Sequence, residues 1–496
     1  MNETITVFAV DFIAVMGLLF LLALVVLAIT AFVMYQNDKR QTAQTIRRNY
    51  PLIGRFRYIF EHLGEFFRQY FFAMDREELP FNRAQRSWVY RAAKNLDNTV
   101  AFGSTRDLRR PGTYYFLNCP FPTLSEDSVQ TQPMRIGPYC EQPYDAPSFF
   151  NISGMSYGAL SKPAVQALSM GAAKAGCWMN TGEGGLSPYH LQGGCDIVLQ
   201  IGTAKYGVRD LDGKLSDEKL CEKAAIPQVK MFEIKLSQGA KPGKGGILPA
   251  EKVNKEIAAI RGIPEGQASI SPNRHPDIGS IDDLLNMVEH VRKVTGKPCG
   301  FKLVLGTTDW LDQFCEAVIK RGIENAPDFI TLDSADGGTG AAPMPLIDNV
   351  GLPVRESLPI LVNKLHQHDL RGRIRVIVSG KMINPQDVAA AICIGADFIV
   401  SARGFMFALG CIQALQCNKN TCPTGITTHD PDLQQGLVPE VKAERVYHFH
   451  HNLVHEVETI AHSCGVAEPR LLKRHHAAVV LDGGRSVPLD ILYPDL

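Results

Sequence analysis

The sequence predicts an α/β protein whose main domain is a (β/α)8 TIM barrel, preceded by one transmembrane helix and a helical collar. Two observations indicate the barrel: short apolar runs alternate with helical patterns, and eight such units follow one another along the chain. Eight consecutive units favour a closed barrel over an open doubly wound sheet. A third observation, a long uncharged stretch near the N-terminus, indicates the membrane helix.

The N-terminal segment, residues 1–40, is predicted to be a membrane anchor. Residues 12–35 carry no charge, and about 20 apolar residues are enough to span a bilayer. A cleaved signal peptide fits less well, because Glu3 and Asp11 precede the run where basic residues would be expected. Several Lys and Arg residues follow it closely, so the positive-inside rule predicts a single-pass membrane protein whose catalytic domain is cytoplasmic.

Residues 41–147 are predicted to form a helical and turn-rich linker. From Tyr50 to about Arg110, aromatic and charged residues are interleaved with helical spacing. Two interpretations stay open: an amphipathic collar on the membrane surface, where aromatic residues and cations are both favourable, or a helical linker packed on the barrel.

The overall composition excludes two classes of protein. Lys+Arg and Asp+Glu balance at 51 each, so no net charge points to nucleic acid as a partner. The 12 cysteines are spread over the whole chain, unlike those of a small disulfide-stapled secreted protein.

The barrel is assigned to residues 148–430, and a helical extension to residues 431–496. Most of the eight candidate strands are rich in Val, Ile, Phe or Leu, and nearly all end on Gly, Ser or another polar residue. They are residues 148–154, 177–182, 196–202, 231–237, 299–306, 328–334, 374–380 and 397–403. In such barrels the chemistry takes place at the C-terminal ends of the strands.

Those strand ends are rich in glycine, which lets a backbone approach a ligand and present N–H groups to anions. The loops after the seventh and eighth strands commonly bind phosphate. We therefore expect a phosphate site at Gly380, Lys381, Ala402 and Arg403. The run GGTGAA at 337–342 lacks the spacing of a dinucleotide fingerprint, so no NAD(P) site is predicted.

Three cysteines follow the eighth strand with the spacing C-x5-C-x4-C-P-T-G: Cys411, Cys417 and Cys422. Three thiolates can hold a [3Fe–4S] cluster, or a [4Fe–4S] cluster with an outside ligand. A zinc site would need a fourth ligand, for which His429 is the candidate. A reducing cytoplasm suits a cysteine-ligated cluster.

From about residue 150 to residue 430 the chain resembles the FMN-binding synthase domain of glutamate synthase. The resembling segments occur in family order: SGMSYGALSK, NTGEGG, EIKLSQGAKPGKGG, SPNRHPDIGSIDDL, FKLVLG, DGGTGAAP and the cysteine motif. The resemblance implies an FMN-binding barrel that forms L-glutamate by reductive amination. In that reaction reduced FMN delivers a hydride to C2 of 2-iminoglutarate, made from 2-oxoglutarate and ammonia. It also implies a [3Fe–4S] cluster, with electrons from ferredoxin or a reductase partner.

The resemblance further implies roles for individual residues. Lys235, Gln238 and Lys241, followed by Arg261, would bind 2-oxoglutarate, which agrees with a dicarboxylate's need for two cationic sites and an orienting amide. Glu183 would bind ammonia, protonate an intermediate, or position the substrate-binding residues without contacting the substrate itself. The residues implied to contact the flavin are Ser153, Met155, Ser156, Gln200, Lys302 and Gly338. A cation near N1 of the ring would stabilise its reduced form.

Three features depart from the family pattern. A membrane helix stands where a glutaminase domain would precede the barrel, and no C-terminal β-helix is expected in the short extension. Ammonia would then come from solution or a partner, or another amine would replace it. Ile247 stands where glutamate synthases usually carry Gln, and an amide lost near a carboxylate would weaken recognition by about 1–3 kcal/mol.

Two other functions stay open beside glutamate synthesis. One is a related amino-acid synthase or N-methyl-transferring enzyme on the same barrel. The other is a membrane-bound FMN and iron–sulfur electron-transfer subunit. The anchor favours a membrane partner, whereas the Lys, Gln and Arg residues named above favour a carboxylate substrate.

Overall fold

The computed structural model describes residues 2–494. They form two compact units, with the boundary between Ala84 and Gln85. The first unit is built of helices and turns, and the helix Arg83–Ala93 crosses the boundary. Its other helices are Asn2–Arg40, Thr45–Asn49, Gly54–Phe67 and the π-helical turn Arg68–Phe72.

The N-terminal helix covers the whole uncharged stretch. Within the described chain, residues 5–40 form one helix that is long and apolar enough to cross a membrane. Side chains 5–30 are all exposed, which distinguishes this helix from the buried core helix of a soluble protein. By length and composition alone, an N-terminal signal sequence would satisfy the same criterion.

The chain turns after this helix around the fully buried carboxylate of Asp38. Arg47 Nη2 lies 2.6 Å from Oδ1 and Arg55 Nε lies 2.8 Å from Oδ2. The backbone N–H of Leu52 also donates to Oδ2, at 3.1 Å. Asp38 therefore ties the last turn of the N-terminal helix to the first turn of Gly54–Phe67.

The second unit contains a closed barrel of eight parallel strands, in which each strand pairs with its neighbours in sequence and the last pairs with the first. In chain order the strands are β1 (Phe150–Ile152), β2 (Met179–Asn180), β3 (Ile197–Ile201), β4 (Val229–Lys235), β5 (Cys299–Val304), β6 (Phe329–Asp333), β7 (Arg375–Ser379) and β8 (Phe398–Ser401). The predicted barrel is confirmed: seven strands lie within the predicted ranges, and β4 begins two residues earlier.

Helices follow every strand of the barrel. They are Lys162–Ala175, Pro188–Leu191, Asp217–Ala224, Lys255–Arg261, Ile281–Thr295, Trp310–Arg321, Met344–Ile347, Val354–Gln367, Pro385–Ile394 and Arg403–Leu409. Several begin where the sequence supplies a capping residue: the side chains of Ser161, Ser216, Asn254 and Ser280 each accept a hydrogen bond from a backbone N–H three residues later.

An apolar layer closes the N-terminal end of the barrel. Trp178, Phe329 and Phe398, which lie at or beside the starts of their strands, pack there with residues of the hairpin Met134–Ile136 and Tyr144–Ala146. With this end filled by hydrophobic side chains, the open end is the C-terminal one, where the polar loops converge.

The C-terminal extension is mixed in structure. It contains the helices Pro431–Gln434, Pro439–Ser463 and Leu489–Leu492, and also two short strands, whereas only helices are expected there from the sequence. These strands, Ala477–Val480 and Ser486–Pro488, form a sheet with Tyr114–Phe116. A further two-stranded sheet, Ile247–Leu248 with Ser269–Ile270, lies in the segment between β4 and β5.

Candidate active site

The C-terminal ends of the strands surround an open cleft. Every residue predicted to bind substrate or flavin lines this cleft, and so does Cys417. Cys411 and Cys422 belong to the same loop as Cys417 but do not line the cleft. The fold thus brings together residues that lie on or directly after all eight strands, separated by up to 250 positions in sequence.

A chain of polar contacts crosses the loops after β2, β4 and β6. Lys235 Nζ lies 3.0 Å from Oε1 of Glu183 and also donates to the side-chain carbonyl of Gln238. Gln238 Nε2 in turn donates to Thr339 Oγ1 at 3.1 Å. The carbonyl of Lys235 lies 3.0 Å from Nε2 of the buried His275. These contacts hold the charged side chains in fixed positions.

The carboxylate of Glu183 lies among three cations. Burial raises its pKa, but Lys235, Lys241 and Arg261 outweigh burial, so the pKa falls below its ordinary value and the group stays ionised. Burial, together with Lys235, lowers the pKa of Lys241 to about 8. With all three cations charged, the positive charges exceed the negative one, which suits an anionic ligand.

Arg261 completes this cluster from the helix Lys255–Arg261. Its guanidinium lies 5.2 Å from the centroid of the Tyr206 ring, and Nη1 donates to Ser269 Oγ at 3.1 Å. Its buried Nε has no hydrogen-bond partner among the described residues. An unpaired buried donor is costly, and a carboxylate ligand would satisfy it.

On the floor of the cleft, Lys302 Nζ lies 3.1 Å from Oδ2 of Asp333. The same oxygen accepts a hydrogen bond from the backbone N–H of Gly239 at 3.0 Å. Burial lowers the pKa of Lys302, but Asp333 and Glu233 raise it by more, so the net shift is upward. Lys302 therefore keeps its charge at this position.

Glu233 was not identified from the sequence. It lies inside the barrel, where it accepts hydrogen bonds from Gln200 Nε2 at 2.7 Å, Asn180 Nδ2 at 2.8 Å and Thr331 Oγ1 at 2.6 Å. Strand alternation in MFEIKLS puts Glu233 on the same face as Lys235, and this signal could have revealed it. It fixes the orientation of Gln200.

The residues predicted to bind phosphate lie together at the ends of β7 and β8. Gly380 has a φ of +109°, and an added Cβ would lie 2.3 Å from Cβ of Ser334, so a larger residue would not fit. Lys381 Nζ forms an ion pair with Asp336 at 2.9 Å, and Ala402 caps the helix Arg403–Leu409.

Arg403 connects this region to the cysteine loop. It donates to the carbonyl oxygen of Thr339, and its Nη1 lies 3.7 Å from Cys417 Sγ. The pKa of Cys411 lies above its ordinary value, because burial and the neighbouring thiols of Cys417 and Cys422 raise it by more than Arg403 lowers it. The three thiols are therefore close enough to influence one another electrostatically.

His429, the candidate fourth ligand of a zinc site, lies 2.8 Å through Nε2 from the carbonyl oxygen of Gly158. Within residues 2–494, no group of three His, Cys, Asp or Glu side chains is placed to hold a single metal ion.

Lys252 is a second residue that sequence reasoning missed. Its side chain is only 2% exposed, and Nζ donates to the carbonyls of Cys417 at 2.8 Å, Thr427 at 2.5 Å and Ala159 at 3.4 Å. It therefore binds the cysteine loop to the loop after β1. The surrounding charged residues, in the run AEKVNKE, gave no sign that this lysine is buried.

Replacing Lys252 with Met should loosen the cysteine loop, because the buried carbonyls would lose their donor at a cost of about 1–3 kcal/mol. We expect amide hydrogen exchange in residues 411–428 to accelerate roughly tenfold or more. Lys255→Met is the matched control, since Lys255 is exposed and three residues away. Equal exchange in the two variants would contradict the assigned role.

The model of the conserved region in glutamate synthase matches residues 124–467. The glutamate synthase large subunit-like protein YerD of Bacillus subtilis is 38% identical over 513 residues, which cover 95% of this chain and 97% of that protein. The archaeal glutamate synthase (NADPH) of Methanocaldococcus jannaschii is 36% identical over 318 residues, which cover 64% of this chain and 58% of that protein. The chain thus spans less than two thirds of the archaeal relative.

Among solved structures, a mutant flavocytochrome b2 with benzoylformate matches at 16% identity and a TM-score of 0.48, over 84% of each chain. The family match covers the barrel, the cleft and the cysteine loop, and the B. subtilis relative aligns over nearly its full length. The chain therefore belongs to the glutamate synthase family and is an oxidoreductase of the glutamate synthase type.

Proposed function

We propose that this protein forms L-glutamate from 2-oxoglutarate and ammonia by FMN-dependent reductive amination, with electrons arriving through a [3Fe–4S] cluster. The observation that carries the proposal is the cluster of Lys235, Lys241 and Arg261 around the ionised Glu183, in the same cleft as Lys302. This arrangement offers a dicarboxylate site beside a cation suited to a flavin ring.

The cleft residues fit an FMN group. Gly338 and Gly380 both line the cleft, and an added Cβ would lie 2.8 Å from Arg403 Cγ at the first and 2.3 Å from Ser334 Cβ at the second, so the close packing of these loops requires glycine at both positions. Lys381 and Arg403 would hold the phosphate, and Lys302 would lie near the ring. When bound, FMN supplies the hydride and the iron–sulfur cluster supplies its electrons.

The three cysteines would hold the cluster. Their thiols influence one another electrostatically, and hydrogen bonds from Thr424 and Thr427 outweigh burial to lower the pKa of Cys422, which favours a thiolate ligand. The cation of Arg403 near Cys417 Sγ would offset part of the cluster's negative charge. Three ligands from one loop correspond to [3Fe–4S] coordination.

For the substrate, Lys235, Lys241 and Arg261 would bind the two carboxylates, and Gln238 would orient the bound molecule. Condensation of ammonia with the 2-oxo group releases water and gives 2-iminoglutarate. Hydride addition at C2 and proton addition at nitrogen then give glutamate. Glu183 is ionised and held 3.0 Å from Lys235, so it would attract the ammonium that supplies the nitrogen.

The N-terminal helix would anchor the enzyme in a membrane as a single span. The basic residues that follow it, among them Lys39 and Arg40, would keep the catalytic domain in the cytoplasm. Ferredoxin or a reductase partner would supply the electrons. NADPH, which stands in the name of the archaeal relative, would act through such a partner, since the run at 337–342 lacks a dinucleotide fingerprint.

A second candidate function has one specific observation in its favour. Ile247 lines the cleft with 37% of its surface exposed, so the wall is apolar at the position where glutamate synthases usually carry Gln. This favours an amino-acid synthase on the same barrel that accepts a less polar acceptor or a substituted amine.

The test is an anaerobic half-reaction of the purified full-length protein. The flavin is reduced chemically, 2-oxoglutarate and ammonium are added, and flavin reoxidation and glutamate are measured together. We expect reoxidation with stoichiometric glutamate only when both compounds are present. If the flavin stays reduced with that pair but is reoxidised when another oxo acid replaces 2-oxoglutarate, or another amine replaces ammonium, the second candidate replaces the first.

The pKa of Lys241 predicts a pH dependence. The protonated amine binds a carboxylate and the neutral amine does not, so kcat/KM for 2-oxoglutarate should fall as pH rises through about 8. The decline should be absent in Lys241→Arg, because the guanidinium keeps its proton throughout this range. A profile that stays flat to pH 9.5 in the wild-type protein, roughly 1.5 units beyond that pKa, would contradict the assignment.

A further inference from the structure

We infer that the helix Gly54–Phe67, with the turn Arg68–Phe72, lies in the plane of the membrane–water interface and inserts its apolar face into lipid. This inference rests on the proposal that the N-terminal helix spans the membrane. The apolar face of this helix would be a second site of attachment to the bilayer, beside the membrane-spanning helix.

The apolar face of this helix is continuous and exposed. Its described residues follow the helical spacing i, i+3, i+4, i+7 and i+11. They are Phe56 (57% exposed), Ile59 (50%), Phe60 (66%), Leu63 (38%) and Phe67 (44%). The opposite face is charged and consists of Arg57, Glu61, Glu65 and Arg68. Phe71 and Phe72 extend the apolar surface into the following turn, at 74 and 75% exposure.

The contacts of Asp38 determine where this helix lies. Asp38 is two residues from the end of the N-terminal helix, and it binds Arg55 in the first turn of the amphipathic helix with N–O distances of 2.8 Å. The close approach also depends on Gly54, where an added Cβ would lie 2.8 Å from the carbonyl oxygen of Ile46. The amphipathic helix therefore begins at the level where the span ends.

This position favours lipid as the occupant of the apolar face. A helix with a wide apolar face, fixed at the end of a span, meets the boundary between headgroups and acyl chains. Basic residues near the corner, including Arg48 and Arg57, would attract anionic headgroups, and the exposed ring of Tyr50 suits the same zone.

The test uses the full-length protein reconstituted in vesicles of phosphatidylcholine and phosphatidylglycerol. Phe60→Trp places a reporter on the apolar face, and Glu61→Trp places a matched reporter on the charged face. The native Trp88, Trp178 and Trp310 all lie in the second unit and supply a constant background. Lipids brominated near the headgroup end of the acyl chain serve as the quencher, and acrylamide probes exposure to water.

We expect brominated lipid to quench the added emission of Phe60→Trp roughly twofold or more, and acrylamide to quench that of Glu61→Trp. If the Phe60→Trp emission escapes brominated lipid while the protein stays in the vesicles, the in-plane helix is wrong and the span stands. If the protein does not enter vesicles, both the membrane-spanning helix and the in-plane helix are wrong. Protection from acrylamide that disappears when the protein is diluted in lipid would assign the face to a second copy instead. Glutamate formation is measured separately, so the enzymatic proposal is tested on its own.

Discussion

Replacing Lys241 with alanine should lower kcat/KM for 2-oxoglutarate by roughly 10²-fold or more and leave the bound flavin in place. The side chain is buried beside Lys235 and Glu183, and a lost hydrogen bond between charged groups costs about 1.5–3 kcal/mol. The loss should exceed that of one contact. Without Lys241, Lys235 would interact more strongly with Glu183 and less strongly with the substrate carboxylate. Anaerobic flavin reoxidation measures the effect, and flavin absorbance measures retention.

The matched control is Lys244→Ala. Lys244 belongs to the same loop but does not line the cleft, so its removal should leave kcat/KM within about twofold of the wild-type value. If Lys241→Ala loses its flavin, the loop contributes to the cofactor site and its assignment to substrate is wrong. If both variants keep full activity, the cationic cluster does not bind the substrate carboxylates.

The barrel could be predicted because each of its strands is recognisable from a few consecutive residues. Each strand is a short apolar run that ends on glycine or a polar residue, and even β2, with only two paired residues, is indicated by the run CWMNTG. The sheet that joins Tyr114–Phe116 to Ala477–Val480 could not be predicted in this way. Its strands are three or four residues long and more than 350 positions apart, so no local pattern connects them.

The members of the candidate site could be predicted to a large extent, but the contacts between them could not. The glycine-rich strand ends indicated Gly380, Lys381, Ala402 and Arg403, the cysteine spacing indicated Cys417, and the resemblance to glutamate synthase implied the other predicted residues that line the cleft. That Lys235 pairs with Glu183, and that Lys302 pairs with Asp333, depends on how the strands are arranged around the barrel. Lys252 was missed for a different reason: a buried lysine is recognised by its acceptors, which here are carbonyls distant in sequence.

Replacing Cys417 with serine should remove the proposed iron–sulfur cluster and with it the proposed electron supply from a protein donor. Iron in such clusters is held by soft thiolate ligands, which a serine hydroxyl replaces poorly. We expect the visible absorbance and iron content of the cluster to be lost, and turnover with a protein donor to fall to background. Cys221→Ser is the control, because Cys221 is exposed on the helix Asp217–Ala224, away from the cleft.

The same variant separates the cluster from the substrate site. If the cysteines serve only in electron delivery, a Cys417→Ser protein whose flavin is reduced chemically should still reoxidise with 2-oxoglutarate and ammonium at a rate near that of the wild type. Cys417 lines the cleft and lies 3.7 Å from Arg403, so a moderate loss of flavin affinity is expected as well. Unchanged iron content would show that the triplet does not hold the cluster. Loss of the half-reaction with flavin intact would place Cys417 in the chemistry of the substrate.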